Sequence, residues 1–218
     1  MLEIGKIGIL GKILKFAVFI FCMEDKKIQR VAIFIDGNNF YHGVKRILRF
    51  NERVDYQKLI EVLLEKRSLI TSFYYVASLD KEADYKKYEK HQNFLKELEK
   101  VPNLKIVLCE FKKIKKEEGG FLYIVKGDDV QLSHDILLGA FDDLYDTAII
   151  VSGDEDFLPL IRTLRERFKK RVENAFFRHS SSYKLRRACN FSFRLNKLIP
   201  YFVTKKHDTS SSAIQRQH

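Results

Sequence analysis

The chain is poor in the residues that staple or interrupt a small fold. Its three cysteines, Cys22, Cys109 and Cys189, lie at least 80 positions apart, with no CxxC or CxxH pair. That excludes a zinc ribbon built on sequence neighbours, speaks against a disulfide framework and suits a reducing cytoplasm. Ten glycines and three prolines are too few for a collagen-like or low-complexity chain. Neither GxxxxGK[ST] nor GxSxG occurs, so the phosphate loop and the nucleophile elbow are absent. Asp36-Gly37-Asn38 also lacks the second Asp, two positions on, that phosphoaspartyl transfer requires.

Long uncharged runs are missing from the N-terminal stretch too. Residues 1–23 are apolar but broken by Lys6, Lys12 and Lys15, and Phe16 to Met23 is their longest uncharged run. Those eight residues fall well short of the roughly 20 that span a bilayer. Phe21-Cys22-Met23 is too bulky for a signal-cleavage site. The preferred reading is that translation begins at Met23, with a membrane-surface helix or a cleaved signal as alternatives. Residues 1–22 are set aside as an apolar extension.

What remains has the makings of one globular domain. Hydrophobic residues supply 45% of 218 positions and charged residues 32%, enough for a real core. The net charge of +11 is unevenly spread. From Arg162 onward it is +12, whereas Gly127 to Phe157 holds nine acids and no Lys or Arg. A basic third beside an acid-dense segment points to one tool for phosphate and another for a metal.

Strand patterns alternate with helical ones. Arg30 to Asp36, Leu69 to Ser78, Leu104 to Phe111, Asp146 to Gly153 and Val172 to Phe177 read as strands, and Phe121 to Val125 as a short one returning from a polar excursion at 112–120. Helices are expected over Phe40 to Phe50, Asp55 to Lys66, Ala83 to Lys100, Asp129 to Phe141, Phe157 to Lys170 and Ser182 to Ala188, with a disordered tail over 204–218. Strands separated by such helices predict a mainly parallel sheet covered on both faces, and ligands outside the strands' carboxyl ends.

Those ends carry acids. The first strand closes on Asp36 with Asn38 and Asn39, and the Asp146 strand on Ser152, Gly153, Asp154 and Asp156. The intervening helix opens with Asp128 and Asp129 and reaches Asp135. Converging carboxylates repel one another unless a hard cation such as Mg²⁺ or Mn²⁺ neutralises them. Such an ion can acidify water and stabilise charge at a phosphodiester. Asp36 and Asp154 rank first as ligands, then Asp129, then Asp156 and Asp135. Asn38 is expected to orient Asp36 or a metal-held water, Asn39 to cap the following helix, and Gly153 to allow close backbone approach.

Three segments together resemble the NYN domain family of PIN-like nucleases: Ile35-Asp36-Gly37-Asn38-Asn39-Phe40-Tyr41, Lys126-Gly127-Asp128-Asp129-Val130 with Asp135, and Val151-Ser152-Gly153-Asp154-Glu155-Asp156-Phe157. Their order and spacing match across residues 27–202, most nearly in the bacterial LabA-like stand-alone branch. The resemblance implies a three-layer PIN-like, Rossmann-like α/β sandwich and divalent-metal-dependent RNA cleavage, with Asp36, Asp129 and Asp154 as metal-binding catalytic residues and Asp156 supporting. Asp128 stands where the family pattern has valine, so Asp128 and Asp129 are both open as the ligand, and the pattern favours Asp129. Asn190 stands where the family often has an Asp.

Arg162, Arg165, Arg178, Lys184, Arg186 and Arg187, interleaved with Phe176, Phe177, Tyr183, Phe191 and Phe193, are the candidate nucleic-acid contacts. The reading is a cytoplasmic ribonuclease, expected to cut internally in single-stranded or structured RNA, with a homodimer expected and with neither an obligate small-molecule cofactor nor a stable membrane span. Its rivals are a non-catalytic RNA-binding regulator, a nuclease toxin and, more distantly, a phosphatase.

Overall fold

The computed structural model describes residues 28–82, 84–109, 111–115, 121–125 and 127–205. The expectations for the N-terminal extension, for the tail beyond 205 and for the centre of the polar excursion lie outside these residues.

Six strands form one parallel sheet in the order β4-β3-β1-β7-β8-β9: β1 (Arg30–Asp36), β3 (Ser68–Ala77), β4 (Leu104–Cys109), β7 (Thr147–Val151), β8 (Arg171–Phe176) and β9 (Phe191–Arg194). Chain order therefore runs outward from β1 in one direction and then, from β7, in the other. β2 (Glu52–Val54) pairs antiparallel with β10 (Val203–Lys205), and β5 (Phe111–Lys115) with β6 (Phe121–Val125).

β1 and β7 explain their own centrality. Val31, Ile33 and Ile35 pack on one face of the sheet and Ala32 and Phe34 on the other, as the two-residue period of a strand requires. Ile149 and Val151 likewise oppose Ala148 and Ile150. A strand that is apolar on both sides stays out of water only between two helical layers. The first layer is α1 (Gly37–Lys45), α2 (Tyr56–Leu64), α3 (Tyr85–Leu98) and α7 (Leu195–Phe202). It buries Phe40, Val44, Leu59, Leu63, Leu98 and Phe202. The second is α4 (Asp128–Phe141), α5 (Leu158–Glu166) and α6 (Tyr183–Ala188), which buries Leu132, Ile136, Ile161, Leu164 and Leu185. The expected three-layer sandwich is present.

Several boundaries differ from those read in the sequence. The first helix begins at Gly37, not Phe40, because Asp36 rather than an asparagine caps it, and it ends at Lys45, leaving room for β2. The polar excursion contains β5, the outgoing arm of the β5–β6 hairpin. After α6 the chain still forms β9, α7 and β10, so Thr204 and Lys205 belong to a strand and not to the tail.

At the opposite end of the sheet from the acids, Glu173 of β8 is buried and accepts from Arg67 Nη1 at 2.9 Å and Arg171 Nε at 2.7 Å. Arg67 also closes α2 by donating to the carbonyls of Leu63 and Leu64. Removing one partner of a buried pair leaves an uncompensated charge. Arg67→Leu should lower unfolding stability by about 3 kcal/mol in urea titration, and Arg67→Leu/Glu173→Leu should recover most of it. A single-variant loss inside the error of the titration would show that the pair is solvated.

Candidate active site

β1 and β7 are neighbours at the point where strand order reverses, where open α/β sheets form their ligand crevice. Ile35 lies opposite Val151, so the next residues, Asp36 and Ser152, leave the sheet side by side. Both are on the face covered by α4 to α6, in phase with Phe34 and Ile150. Ser152 Oγ donates to Asp36 Oδ2 at 2.8 Å, and the Asn39 N–H donates to Oδ1 at 3.0 Å. Asp36 is thus the cap of α1 and a carboxylate fixed on both oxygens. Burial raises its pKa above the usual carboxylate value, the two donors oppose that, and Asp128 and Asp154 add to it.

The turn after β7 is held by three elements. The Gly153 N–H donates to Asn39 Oδ1 at 3.0 Å, and Gly153 O accepts from the Ser182 N–H at 3.1 Å. A Cβ at Gly153 would lie 1.6 Å from Ser180 O, so the close approach anticipated there is required. Asn174, fully buried on β8, donates to the carbonyls of Ile150 and Ser152 at 3.1 and 2.7 Å. Asp154 is half-buried, donates its N–H to Ser152 Oγ at 3.1 Å, and accepts from the Asp156 N–H at 2.9 Å. Asp156 is exposed.

α4 brings the third group. Its cap, Gly127, has φ +88° and offers no side chain, so Asp128 and Asp129 occupy the open first turn, where backbone N–H groups favour negative charge. Even so, burial pushes Asp129 up to about 6, reinforced by Asp128, Asp36, Asp154 and Asp156. The field extends to the end of β4. Burial and then Asp128, Asp135, Asp129 and Asp36 push the Cys109 thiol up to about 11.

Other expected residues sit elsewhere. Asn38 is exposed while both Asp36 oxygens are taken by Asn39 and Ser152, so it does not orient Asp36; Asn39 does not cap α1 but ties it to Gly153. Asp135 accepts from Tyr75 Oη at 3.0 Å and Gln131 Nε2 at 2.8 Å, deeper along α4. Arg162, Arg165, Lys184 and Arg187 share a groove between α5 and α6, which Arg178 and Arg186 do not line. Phe177 and Phe193 are core residues, whereas Tyr183 and Phe191 are exposed. Asn174 is the positioning residue that sequence reasoning missed. Asn174 carried no local signal, because a polar residue inside a strand shows its purpose only when the neighbouring strand is known.

The chain matches the NYN domain over residues 30–196. It belongs to the NYN domain family. Members are typically nucleases, which at family level agrees with the acid pattern. No curated protein matches the chain. Among solved structures, a protein of unknown function from Vibrio parahaemolyticus is similar at TM-score 0.60 and 21% identity, covering 83% of this chain and 99% of that one. That likeness is one of fold. No helix among the described residues is long and apolar enough to cross a membrane.

The NYN domain's acids have the donor chemistry of a hard cation: oxygen only, with negative charge in excess. Among the described residues, however, no three His, Cys, Asp or Glu side chains are grouped so as to hold a metal ion. The raised Asp129 makes a prediction. Its folded pKa of about 6 exceeds the ordinary 3.8, so the folded state binds the extra proton and loses stability as pH rises through that window. In EDTA at pH 7, Asp129→Asn should melt a few degrees above the parent, and the gap should close toward pH 4. A variant less stable than the parent at pH 7 would contradict the crowding.

Proposed function

We propose that this NYN domain is a divalent-metal-dependent ribonuclease that cuts RNA internally. The observation that carries the reading is the mutual electrostatic influence of Asp36, Asp128, Asp129, Asp154 and Asp156 near the reversal point of the sheet, with Asp129 raised to about 6 by burial first and then by the other four. Burial raises Asp129 most, and the neighbouring negative charge that adds to it is what a cation would remove.

Asp36, Asp129 and Asp154 would hold Mg²⁺ or Mn²⁺. Bound there, the ion supplies charge neutralisation at the phosphodiester and acidifies water. The chain's own part is positioning. Ser152 Oγ serves both Asp36 and the Asp154 backbone, so the ends of β1 and β7 are one unit. Asn39 and Asn174 hold that unit from α1 and β8. The basic region after Arg162 draws a polyanion toward a site that is itself acidic.

A second reading, an RNA-binding regulator that does not cut, is favoured by one observation: both Asp36 oxygens are already satisfied within the protein. Cleavage of labelled RNA separates the two. With Mn²⁺ or Mg²⁺ the protein should cut, and EDTA should stop it. Asp154→Asn, which keeps the oxygen that accepts from Asp156, should lower the rate by about 100-fold or more. RNA that is bound but never cut with either metal would establish the regulator.

A further inference from the structure

The acidic crevice is not the only developed feature of this molecule. On the second helical layer, α5 and α6 enclose an open groove of about 900 Å³ whose lining includes Arg162, Arg165, Lys169, Arg187 and Tyr183. Its upper end adjoins the carboxylates, because Lys184 Nζ bonds Glu155 Oε1 at 2.8 Å and Glu155 lies between Asp154 and Asp156. Its lower end reaches Lys170 and Arg171, at the start of β8 and so at the far end of the sheet. Among the described residues of the lining, Glu166 is the one acid, against seven Lys and Arg.

The cations are not equally available. Lys170 is paired with Asp143, Arg171 with Glu173, and Arg165 donates to the Ala188 carbonyl. Arg162, Lys169 and Arg187 are exposed. With no acid paired to them among the described residues, such cations repel one another, and their natural complement is a row of phosphates.

Tyr183 decides which kind. It is 64% exposed, at the upper end of the groove, with the Arg186 and Arg187 guanidinium groups 5.7 and 5.8 Å from its ring centroid. Arg186 is itself held by Ser181 and by the Phe176 ring, so the arrangement is anchored from below. An exposed ring set among guanidinium groups is a platform for a splayed base, which a paired duplex does not present.

We infer that the α5–α6 groove binds a single-stranded segment of the RNA, with Arg162 and Arg187 on its phosphates and a base stacked on Tyr183, so that unpaired RNA is led to the acidic crevice. The inference rests on the ribonuclease reading for its purpose, but its test is separate because binding is measured in EDTA, where no cutting is expected.

The probe is a fluorescent single-stranded RNA of about ten nucleotides, within the span that single-strand-binding folds cover. Its affinity for the full chain is read by anisotropy over a salt series, with a blunt duplex of the same sequence as competitor. The single strand should bind at least about 10-fold more tightly than the duplex. Tyr183→Ala should weaken it about 10-fold and Tyr183→Phe should restore it. Arg162→Glu/Arg187→Glu should reduce the slope of log affinity on log salt by about one unit or more. Equal binding of duplex and single strand, or an unchanged slope in the double variant, would overturn the inference. Cleavage could then still occur at the crevice, and its absence would count against the ribonuclease reading alone.

Discussion

The hydrogen bond from Ser152 Oγ to Asp36 joins the two strands between which strand order reverses, and the architecture converges on it. Strand order places β1 beside β7, register places residue 36 beside residue 152, and the two-residue period points both side chains to the same face. The same hydroxyl accepts the Asp154 N–H, so one serine couples a buried carboxylate to the backbone of the half-buried Asp154. The surrounding groups keep this junction rigid: Asn39 from α1, Asn174 from β8, and the Ser180 to Ser182 segment packed on Gly153.

That rigidity has an electrostatic cost. The Asn39 N–H at the start of α1 stabilises Asp36, while burial and mutual repulsion drive Asp129 upward. The two apolar cores on either side of the sheet offset that cost. The α5–α6 groove repeats the pattern with the opposite sign, and the two surfaces meet where Lys184 pairs with Glu155.

Most of the fold was legible because its central strands are apolar on both faces: Val31 to Ile35 and Ala148 to Val151 belong in the middle of a covered sheet. The carboxylates were legible for the same reason, since each follows such a run or opens a helix. What escaped lay in short or locally contradictory segments. β9 has four residues, β2 and β10 three each, and α7 carries Pro200 inside it, which in sequence reads as a stop. The first asparagine pair misled in a different way. Asn38 and Asn39 look like helix caps, but the cap is Asp36, three residues before the N–H it accepts, and Asn39 is released to hold Gly153. Phe177 and Phe193 show the limit of composition: aromatics interleaved with arginines served the core, and only Tyr183 and Phe191 stayed outside.

The proposed metal dependence requires the acids at the β1–β7 reversal to act together on one cation, although no three of them are grouped as ligands among the described residues. Melting the metal-free protein against increasing Mn²⁺ tests it most directly, because an ion that binds only the folded state raises the melting temperature in a saturable way. A saturable rise that Asp129→Asn and Asp154→Asn each abolish is the predicted result. A melting temperature unmoved by Mn²⁺, or moved equally in both variants, would contradict it.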